Sequence, residues 1–401
     1  MIDIANSSDP TQPLIVGVVG AGTMGAGIAQ VSLLAGHEVH LHDVDQDAIE
    51  RGRKRIRDGL QRLVDKGRLT PPDSTEMMAS LHDAHSLEGL AQEADVVIEA
   101  ALEDIDLKRT IFLALAASAR DDAVLATNTS ALNIADIAAA TAHPELVLGL
   151  HFFNPAPVMP LVEVVTTQQT DHATIDRAVN FVVGLGKEPI VCRDSPGFIV
   201  NRVNRPFTLE ALRMLESEEA GVQEIDRAVQ SAGYPMGPLA LMDLVGIDVN
   251  FAVATAIWHG FDEEIRFTPS RIQEGMVSVR RLGRKTGEGF YRYEDGRPTG
   301  LSPALSQVGI HTVEGTLAAD EIVRRIELAI INEAYHAAGD GVADPRDIDR
   351  AMKLGASHPH GPFERAAELG LRTVIDGLSR LQGIYGERFS VAPALWQVAS
   401  M

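Results

Sequence analysis

A histidine and a glutamate lie twelve residues apart, on either side of a proline-rich segment, and could act together in proton transfer. His151 follows an apolar run that begins at Val147, and Glu163 lies within the apolar segment LVEVV. If the two residues lie on adjacent elements, the imidazole is a base, and the carboxylate fixes its tautomer and stabilises the imidazolium. An alternative stays open, because a histidine at a strand end is more often a structural hydrogen-bond partner and Glu163 could be exposed.

A serine in the segment ATNTS lies just past another apolar run, AVLAT. Ligands of an open α/β sheet bind at the carboxyl ends of its strands, so the hydroxyl of Ser130 could donate to a reacting oxygen. The same hydroxyl could instead cap a helix over residues 131–140. The spacing favours neither interpretation.

The segment GAGTMG satisfies the pattern G-x-G-x-x-G directly after a short β-branched run. Gly20 allows a tight turn, Gly22 lets the backbone approach a pyrophosphate, and Gly25 allows a helix to pack closely on the strand. The positive end of that helix, which includes Thr23 and Met24, would face the phosphates. The segment predicts a dinucleotide site, and the alternative is an ordinary βα turn.

Asp43 ends the second predicted strand and indicates which dinucleotide binds. An acidic side chain at this point accepts hydrogen bonds from the ribose hydroxyls of NAD and repels the 2′-phosphate of NADP. The three residues that follow, VDQ, include no arginine that could offset this repulsion. The expected cofactor is therefore NAD, although a solvated loop carboxylate or a helix cap would leave the same signature.

A parallel sheet would bring these residues together, and the alternation of apolar runs with helical patterns predicts a doubly wound one. Two later runs bracket a further helix and are expected to extend the same sheet. The predicted strands are 14–19, 38–42, 95–99, 123–127, 147–150, 161–165 and 189–192, with a first helix at about 24–35.

The pattern becomes helical near Asp194, which predicts a Rossmann-like α/β domain over residues 1–193 followed by an all-α part. That part contains an internal repeat, because IDRA recurs 123 residues after its first occurrence, and a Gly-Pro pair and a single glycine recur in the same order. We expect a first repeat over 194–300 and a second over 301–401. The segment GRKTGEGFYRYEDG between them is expected to be a connector or a lid.

The composition narrows the class of protein. A formal net charge of -21 argues against partners such as nucleic acid or an anionic membrane. The single cysteine, Cys192, excludes an internal disulfide and a thiolate metal site, and no metal is expected. The sequence shows no signal peptide and no membrane-length apolar run, so a cytoplasmic protein is expected.

The motifs GAGTMG, ATNTS, HFFNPAPVMPLVE, SPGFIVNR and GRKTGEGFY resemble, in this order, those of the L-3-hydroxyacyl-CoA dehydrogenases. The resemblance covers nearly the whole chain from Val16 onward. It implies reversible, NAD-dependent oxidation of an L-3-hydroxyacyl thioester of coenzyme A. It also implies that His151 is the base with Glu163 as its partner, and that Ser130 and Asn201 bind and polarise the substrate oxygen.

The same resemblance implies contacts with the nicotinamide end of NAD. Glu103, Lys108, Asn154 and Lys285 resemble the residues that line it, together with Ser130. Without the resemblance, Glu103 and Lys108 would be interpreted as an exposed pair on a helix.

A basic segment of this acidic chain could bind the phosphates of coenzyme A. The family's thioester-binding lysine maps onto Lys66, and a family serine aligns with Gly59, so that contact is expected to be absent. For most of these residues a solvated helix surface is the preferred interpretation. The basic residues are Arg51, Arg53, Lys54, Arg55, Arg57, Arg62, Lys66 and Arg68.

Asn201 of the first repeat aligns with Arg324 of the second, so the second repeat is expected to be structural. Family members with one repeat usually dimerise through this domain. The second repeat is therefore expected to occupy the partner's place in an internal pseudo-dimer, and a homodimer of the full chain stays open.

Two other functions stay open. One is the NAD-dependent oxidation of a free 3-hydroxy acid such as gulonate. The other is a non-catalytic, NAD-binding structural protein, against which the intact pair of His151 and Glu163 argues.

The acidic residue at the end of the second strand gives the first prediction. Asp43 should give NAD a higher kcat/KM than NADP, because its carboxylate accepts from the ribose and repels a phosphate. Steady-state kinetics with both cofactors measure the ratio. Equal values would remove Asp43 from the cofactor site.

Overall fold

The computed structural model describes residues 13–310 and 315–400. They form two compact units, which divide between Ser195 and Pro196. The first unit is a single sheet with helices packed on it, and the second is mainly helical. No single helix among the described residues is long and apolar enough to cross a membrane, although the bent pair Pro238–Val245 and Ile247–Gly260 passes the same test together.

The sheet of the first unit has eight strands in the order β3-β2-β1-β4-β5-β6-β7-β8. Strands β1 to β6 are parallel and have the strand order of a dinucleotide-binding fold, which confirms the predicted fold class. The strands are β1 Ile15–Val19, β2 Glu38–His42, β3 Leu81–Asp83, β4 Val96–Glu99, β5 Val124–Thr127, β6 Val147–Phe152, β7 Leu161–Thr166 and β8 Glu188–Arg193.

The helices of this unit follow the strands and cover the sheet. Except for Ile15 at the start of β1, the apolar residues of β1, β4 and β5 are completely or nearly completely buried, as expected for a sheet covered on both faces. The helices are α1 Thr23–Leu34, α2 Gln46–Asp65, α3 Pro71–Ala79, α4 Leu87–Glu93, α5 Ile105–Ala116, α6 Ile134–Ala138 and α7 His172–Gly184, with a 3₁₀ helix at Pro144–Leu146.

The two later strands extend the sheet as predicted, but one boundary between neighbouring strands is antiparallel. Strand β7 runs antiparallel to β6, and β8 is parallel to β7. The loop between β6 and β7 spans residues 153–160, which is too short for the helical crossover that a parallel pair requires. The antiparallel pairing places His151 directly opposite Glu163.

The second unit contains two series of helices in the same order. Each series has long helical segments, a short helix that starts with Gly-Pro, a longer helix, a 3₁₀ turn and a final helix. The first consists of α8 Val200–Val203, α9 Arg205–Glu216, α10 Val222–Ser231, α11 Pro238–Val245, α12 Ile247–Gly260, a 3₁₀ helix Ile265–Phe267 and α13 Arg271–Ser278. The second consists of α14 Ala319–Gly339, α15 Pro345–Gly355, α16 Pro362–Leu369, α17 Leu371–Tyr385, a 3₁₀ helix Glu387–Phe389 and α18 Pro393–Ala399.

Buried ion pairs connect the two series reciprocally. The Nε of Arg202 donates to Glu333 at 2.7 Å, and the Nε of Arg325 donates to Glu210 at 2.8 Å. All four side chains are almost completely buried. Arg202 and Arg325 lie 123 residues apart, as do Glu210 and Glu333, which is the spacing of the predicted repeat. Each series therefore gives an arginine and receives one.

The segment GRKTGEGFYRYEDG leads into a hairpin, β9 Tyr291–Glu294 and β10 Arg297–Leu301, between 3₁₀ helices at Arg284–Thr286 and Pro303–Val308. Asp243 accepts hydrogen bonds from the amides of Phe290 and Tyr291, and so holds the hairpin to the end of α11. Burial raises the pKa of Asp243 to about 6 despite these bonds. The segment is therefore packed against the first helical series.

Candidate active site

The glycine-rich loop has the backbone geometry that the motif requires. Gly20 has a φ of +100°, and a Cβ there would lie 2.6 Å from the carbonyl oxygen of Ala100. A Cβ at Gly25 would overlap the carbonyl oxygen of Gly20. At Gly22, by contrast, a Cβ would meet no heavy atom of the described residues within 4 Å. Gly20 and Gly25 are needed by the fold, whereas the space beside Gly22 is open.

Helix α1 presents an uncapped N-terminus at this open space. The helix begins at Thr23, Gly22 supplies no side-chain cap, and the first turn contains no acidic residue. Backbone N–H groups and the helix dipole at such a terminus favour a phosphate. The loop therefore fits the pyrophosphate of a dinucleotide on its local geometry.

Asp43 lies beside the same loop and also braces it. One carboxylate oxygen accepts from the amide of Ala21 at 2.8 Å, and the other accepts from the amide of Asp45 at 3.2 Å. The cap of helix α2 is Asp45, whose side chain accepts from the amide of Asp47, so the alternative of Asp43 as a cap is wrong. Asp43 is partly exposed, and a carboxylate has lone pairs left for ribose hydroxyls.

The structure brings His151 and Glu163 together. They are opposite partners on β6 and β7, and the Nδ1 of His151 lies 2.6 Å from a carboxylate oxygen of Glu163. Glu163 is completely buried and His151 is 5% exposed, so the alternative of an exposed Glu163 is wrong. Because an ionised carboxylate can only accept, Nδ1 carries the proton, and Nε2 is the nitrogen of the neutral ring that has the lone pair.

Ser130 lies at the end of β5, the strand next to β6. Its amide and its hydroxyl both donate to Glu103, at 2.9 and 3.2 Å. Helix α6 begins at Ile134 and is capped by Asn133, so the alternative of Ser130 as the helix cap is wrong. Glu103 thus holds the serine at the carboxyl edge of the sheet.

A buried ion pair lies behind Glu103. Lys108 is 1% exposed, and its Nζ lies 2.6 Å from Glu99 and 3.4 Å from Glu103. Glu99 is completely buried and also accepts from the hydroxyl of Thr127 at 2.7 Å. The interpretation of Lys108 as an exposed helical residue is wrong, and Glu99 was not identified from the sequence.

Two further residues that the sequence did not single out support the edge near His151. The side-chain oxygen of Asn128 accepts from the amide of Phe152 at 2.9 Å and so ties the end of β5 to β6. The Nζ of Lys187 donates to the carbonyls of Ala156 and Met159, both at 2.7 Å, in the loop that follows the exposed Asn154.

The basic segment of α2 divides into paired and exposed residues. Arg51, Arg53 and Lys54 form ion pairs with Asp45, Asp83 and Asp58, and Arg55 contacts the carbonyl of Ala21 at 3.4 Å. Lys66 lies at the exposed C-terminal end of α2. Arg57, Arg62, Lys66 and Arg68 form no ion pair with any residue in the described ranges. Gly59 is buried against Gln30, with which a Cβ would overlap, so a side chain there has no room.

The other two predicted residues belong to the second unit. Asn201 is half-buried on the short helix α8. Lys285 lies in a 3₁₀ helix, with its Nζ 2.5 Å from a carboxylate oxygen of Asp248. Among the described residues, no group of three or more potential ligands could hold a metal ion.

A dinucleotide loop and a buried proton-transfer pair lie at the carboxyl edge of one sheet. These are the two parts that a nicotinamide-dependent dehydrogenase must supply, since the cofactor carries the redox chemistry itself. The fold and the site place the chain in that class of enzyme.

The chain belongs to the 3-hydroxyacyl-CoA dehydrogenase family. Residues 15–195 match the family's NAD-binding domain, and residues 197–293 and 322–400 match its C-terminal domain. The 3-hydroxyadipyl-CoA dehydrogenase of Escherichia coli is 36% identical over 93% of this chain and 94% of its own length.

A solved structure and a shorter relative extend the comparison. The structure of 3-hydroxybutyryl-CoA dehydrogenase from Escherichia coli K12 is 35% identical and covers 97% of this chain and 99% of its own, with a TM-score of 0.87. The mitochondrial hydroxyacyl-coenzyme A dehydrogenase of Rattus norvegicus is 41% identical over 70% of this chain and 91% of its own length. The family therefore includes both long and short members.

The different surroundings of Gly22 and Gly25 give a pair of predictions. Gly22→Ala should leave thermal stability unchanged, because its Cβ would meet no atom of the described residues within 4 Å. It should weaken NAD binding roughly tenfold or more by filling the space where the pyrophosphate is expected. Gly25→Ala should instead destabilise the first unit by about 1–3 kcal/mol, since its Cβ overlaps backbone. Calorimetric titration with NAD and thermal unfolding separate the two effects. Unchanged NAD affinity in Gly22→Ala would contradict the predicted cofactor position.

Proposed function

We propose that this protein catalyses the reversible, NAD-dependent oxidation of L-3-hydroxyacyl-CoA to 3-ketoacyl-CoA. The observation that carries the proposal is the buried 2.6 Å hydrogen bond between His151 and Glu163, beside a dinucleotide loop of the same sheet. The names of the relatives support an acyl-CoA substrate. No finding favours a free hydroxy acid as substrate, or a non-catalytic structural role.

His151 is the general base in the oxidation direction. Its Nδ1 donates to Glu163, so Nε2 is the atom that accepts the proton of the 3-hydroxyl group. The Glu163 carboxylate then stabilises the imidazolium that forms, because a unit charge opposite it in a buried site is weakly screened. In the reduction direction the same nitrogen returns the proton to the 3-keto oxygen.

Ser130 and Asn201 bind the substrate oxygen and stabilise the alkoxide character that develops there. Glu103 orients Ser130 by accepting from its amide at 2.9 Å. The single hydroxyl hydrogen of Ser130, which is directed at Glu103 at 3.2 Å, would turn to the substrate oxygen when substrate binds. Lys108 lies 3.4 Å from Glu103 and is itself held by Glu99. We infer that Lys108 acts on the nicotinamide site through Glu103, since its ammonium group is buried.

NAD would supply the acceptor for the hydride that leaves C3 of the substrate. The residues that would hold the pyrophosphate are Gly20, Gly22, Thr23, Met24 and Gly25. Asp43 would hold the adenosine ribose. Glu103, Ser130, Asn154 and Lys285 would line the nicotinamide end, with Lys108 behind Glu103.

The exposed basic residues at the end of α2 bind the phosphates of coenzyme A. Lys66 is the principal candidate, because it is exposed and has no competing ion pair among the described residues. The paired residues Arg51, Arg53 and Lys54 are less suited, since a phosphate would have to displace their carboxylates. Local positive charge of this kind offsets the repulsion that a chain of net charge -21 exerts on an anionic thioester.

Removal of the base tests the proposal directly. The wild-type protein should reduce acetoacetyl-CoA with NADH, and His151→Ala should lower kcat by at least about a hundredfold, the lower range for a general base. NAD affinity should barely change, because His151 does not hold the nucleotide. Steady-state kinetics and calorimetry measure the two quantities. Near-normal turnover in this variant would refute the assignment of His151.

We further propose that the two helical series of the second unit are duplicated copies that pair within one chain, as two subunits would. Support comes from the reciprocal contacts of Arg202 with Glu333 and of Arg325 with Glu210, the pattern of an isologous interface. A second likeness is that Asp226 and Asp349 each accept from two amides at the start of the next helix. Arg324 is exposed, so the second copy would contribute structure and not a second site.

Truncation tests this pairing. A chain that ends at residue 309 loses both carboxylate partners of Arg202 and two of the three arginines that pair with Glu210. It also exposes the face that they help to cover, so it should dimerise or aggregate. Light scattering after size exclusion, with the full-length chain as control, measures the mass. A stable, active, monomeric truncated chain would show that the second copy does not serve as an internal partner.

A further inference from the structure

We propose that Glu333 and Asp340, in the second helical series, are positioning residues for Asn201 and act through its neighbour Arg202. The inference rests on the proposed role of Asn201 in binding the substrate oxygen. The second series would then contribute to catalysis, although this series carries no reacting group of its own.

Helix α8, which carries Asn201, cannot fix its own orientation. It has four residues, Val200–Val203, and no side-chain cap at its start. Gly197 and Phe198, which precede its N-cap residue Ile199, have φ values of +77° and +51°. A single helical turn gains little from its own hydrogen bonds, so its position depends on tertiary contacts.

Arg202 supplies such a contact next to Asn201. It is completely buried, its Nε donates to Glu333 at 2.7 Å, and its Nη2 donates to Asp340 at 2.6 Å. Its guanidinium also lies 4.6 Å from the centre of the Phe261 ring. A planar guanidinium held on two edges and one face has little freedom, so the backbone of α8 is fixed beside the asparagine.

The carboxylate of Glu333 is itself held firmly. Its second oxygen accepts from the Nε of Arg266 at 2.9 Å, so the carboxylate lies between two arginines. Asp340 differs, because its side chain is 56% exposed and meets Arg202 at the protein surface. Substitution of Glu333 should therefore perturb Arg202 strongly, and substitution of Asp340 should perturb it mildly.

The pseudo-symmetric pair is an internal control. Arg325 donates to Glu210 at 2.8 Å and to Glu219 at 2.6 Å, with the same buried geometry. The residue before Arg325 is Arg324, which is exposed and has no proposed part in the reaction. Loss of Glu210 thus removes an equivalent buried pair that does not adjoin Asn201.

The experiment compares Glu333→Gln with Glu210→Gln in the full-length chain. Both variants should lower the unfolding temperature, because each leaves buried arginines with a neutral partner. Only Glu333→Gln should lower kcat for acetoacetyl-CoA reduction, by roughly tenfold or more, as expected when a polarising group moves by a fraction of an ångström. The KM for NADH should not change in either variant.

Asn201→Ala separates positioning from general destabilisation. If Glu333 acts through Asn201, Glu333→Gln should cause no further loss of kcat in an Asn201→Ala background. A further loss of the same size, or an equal loss of kcat in Glu210→Gln, would overturn the proposal. Normal kcat in Asn201→Ala alone would instead refute the proposed role of Asn201.

Milder variants keep the test valid if Glu333→Gln does not fold. Asp340→Asn changes a half-exposed partner of Arg202, and Glu219→Gln changes the corresponding partner of Arg325. The first should lower kcat by a smaller factor than Glu333→Gln, and the second should leave it unchanged. Equal kcat values in Asp340→Asn and the wild type would contradict the part assigned to Asp340.

Discussion

Buried carboxylates and the donors that satisfy them are the interactions on which both units depend. Glu99 and Glu163 are completely buried in the sheet domain, and Glu210 and Glu333 are buried among the helices. A carboxylate removed from water without a donor costs several kcal/mol, so the backbone near each one must adopt the geometry that brings a donor to it. Apolar packing brings the helices and strands together. The pairs of buried carboxylates and donors then fix the positions of the strand ends and helices more closely than apolar packing alone.

The order of secondary structure was largely predictable because apolar runs in this chain are long and separated by helical patterns. Strand β2 has the predicted bounds, β1 differs from its prediction by one residue at its start, and α1 differs by one residue at each end. Strand β3 was missed because Leu81 is the only buried residue of its three. The direction of β7 is not a property of its side-chain pattern, and only the short loop before it carried that information.

The site was predictable where spacing and topology agree, as for His151 and Glu163, which the antiparallel turn places opposite each other. Glu99 was missed because a charged residue at the end of an apolar run looks like the edge of a strand. Its burial becomes apparent only when Lys108, on the next helix, is folded against it. Pairing between distant charges cannot be deduced from hydrophobic periodicity, which reports burial of apolar groups alone.

The reciprocal arginine–glutamate pairs join residues that are more than a hundred positions apart in one chain. Their formation is consequently a unimolecular event, whereas the same contacts between separate subunits would depend on protein concentration. Dilution cannot separate covalently connected halves. The helical unit should thus retain the environment of α8 in the most dilute assay, where an equivalent interface between two chains would begin to dissociate.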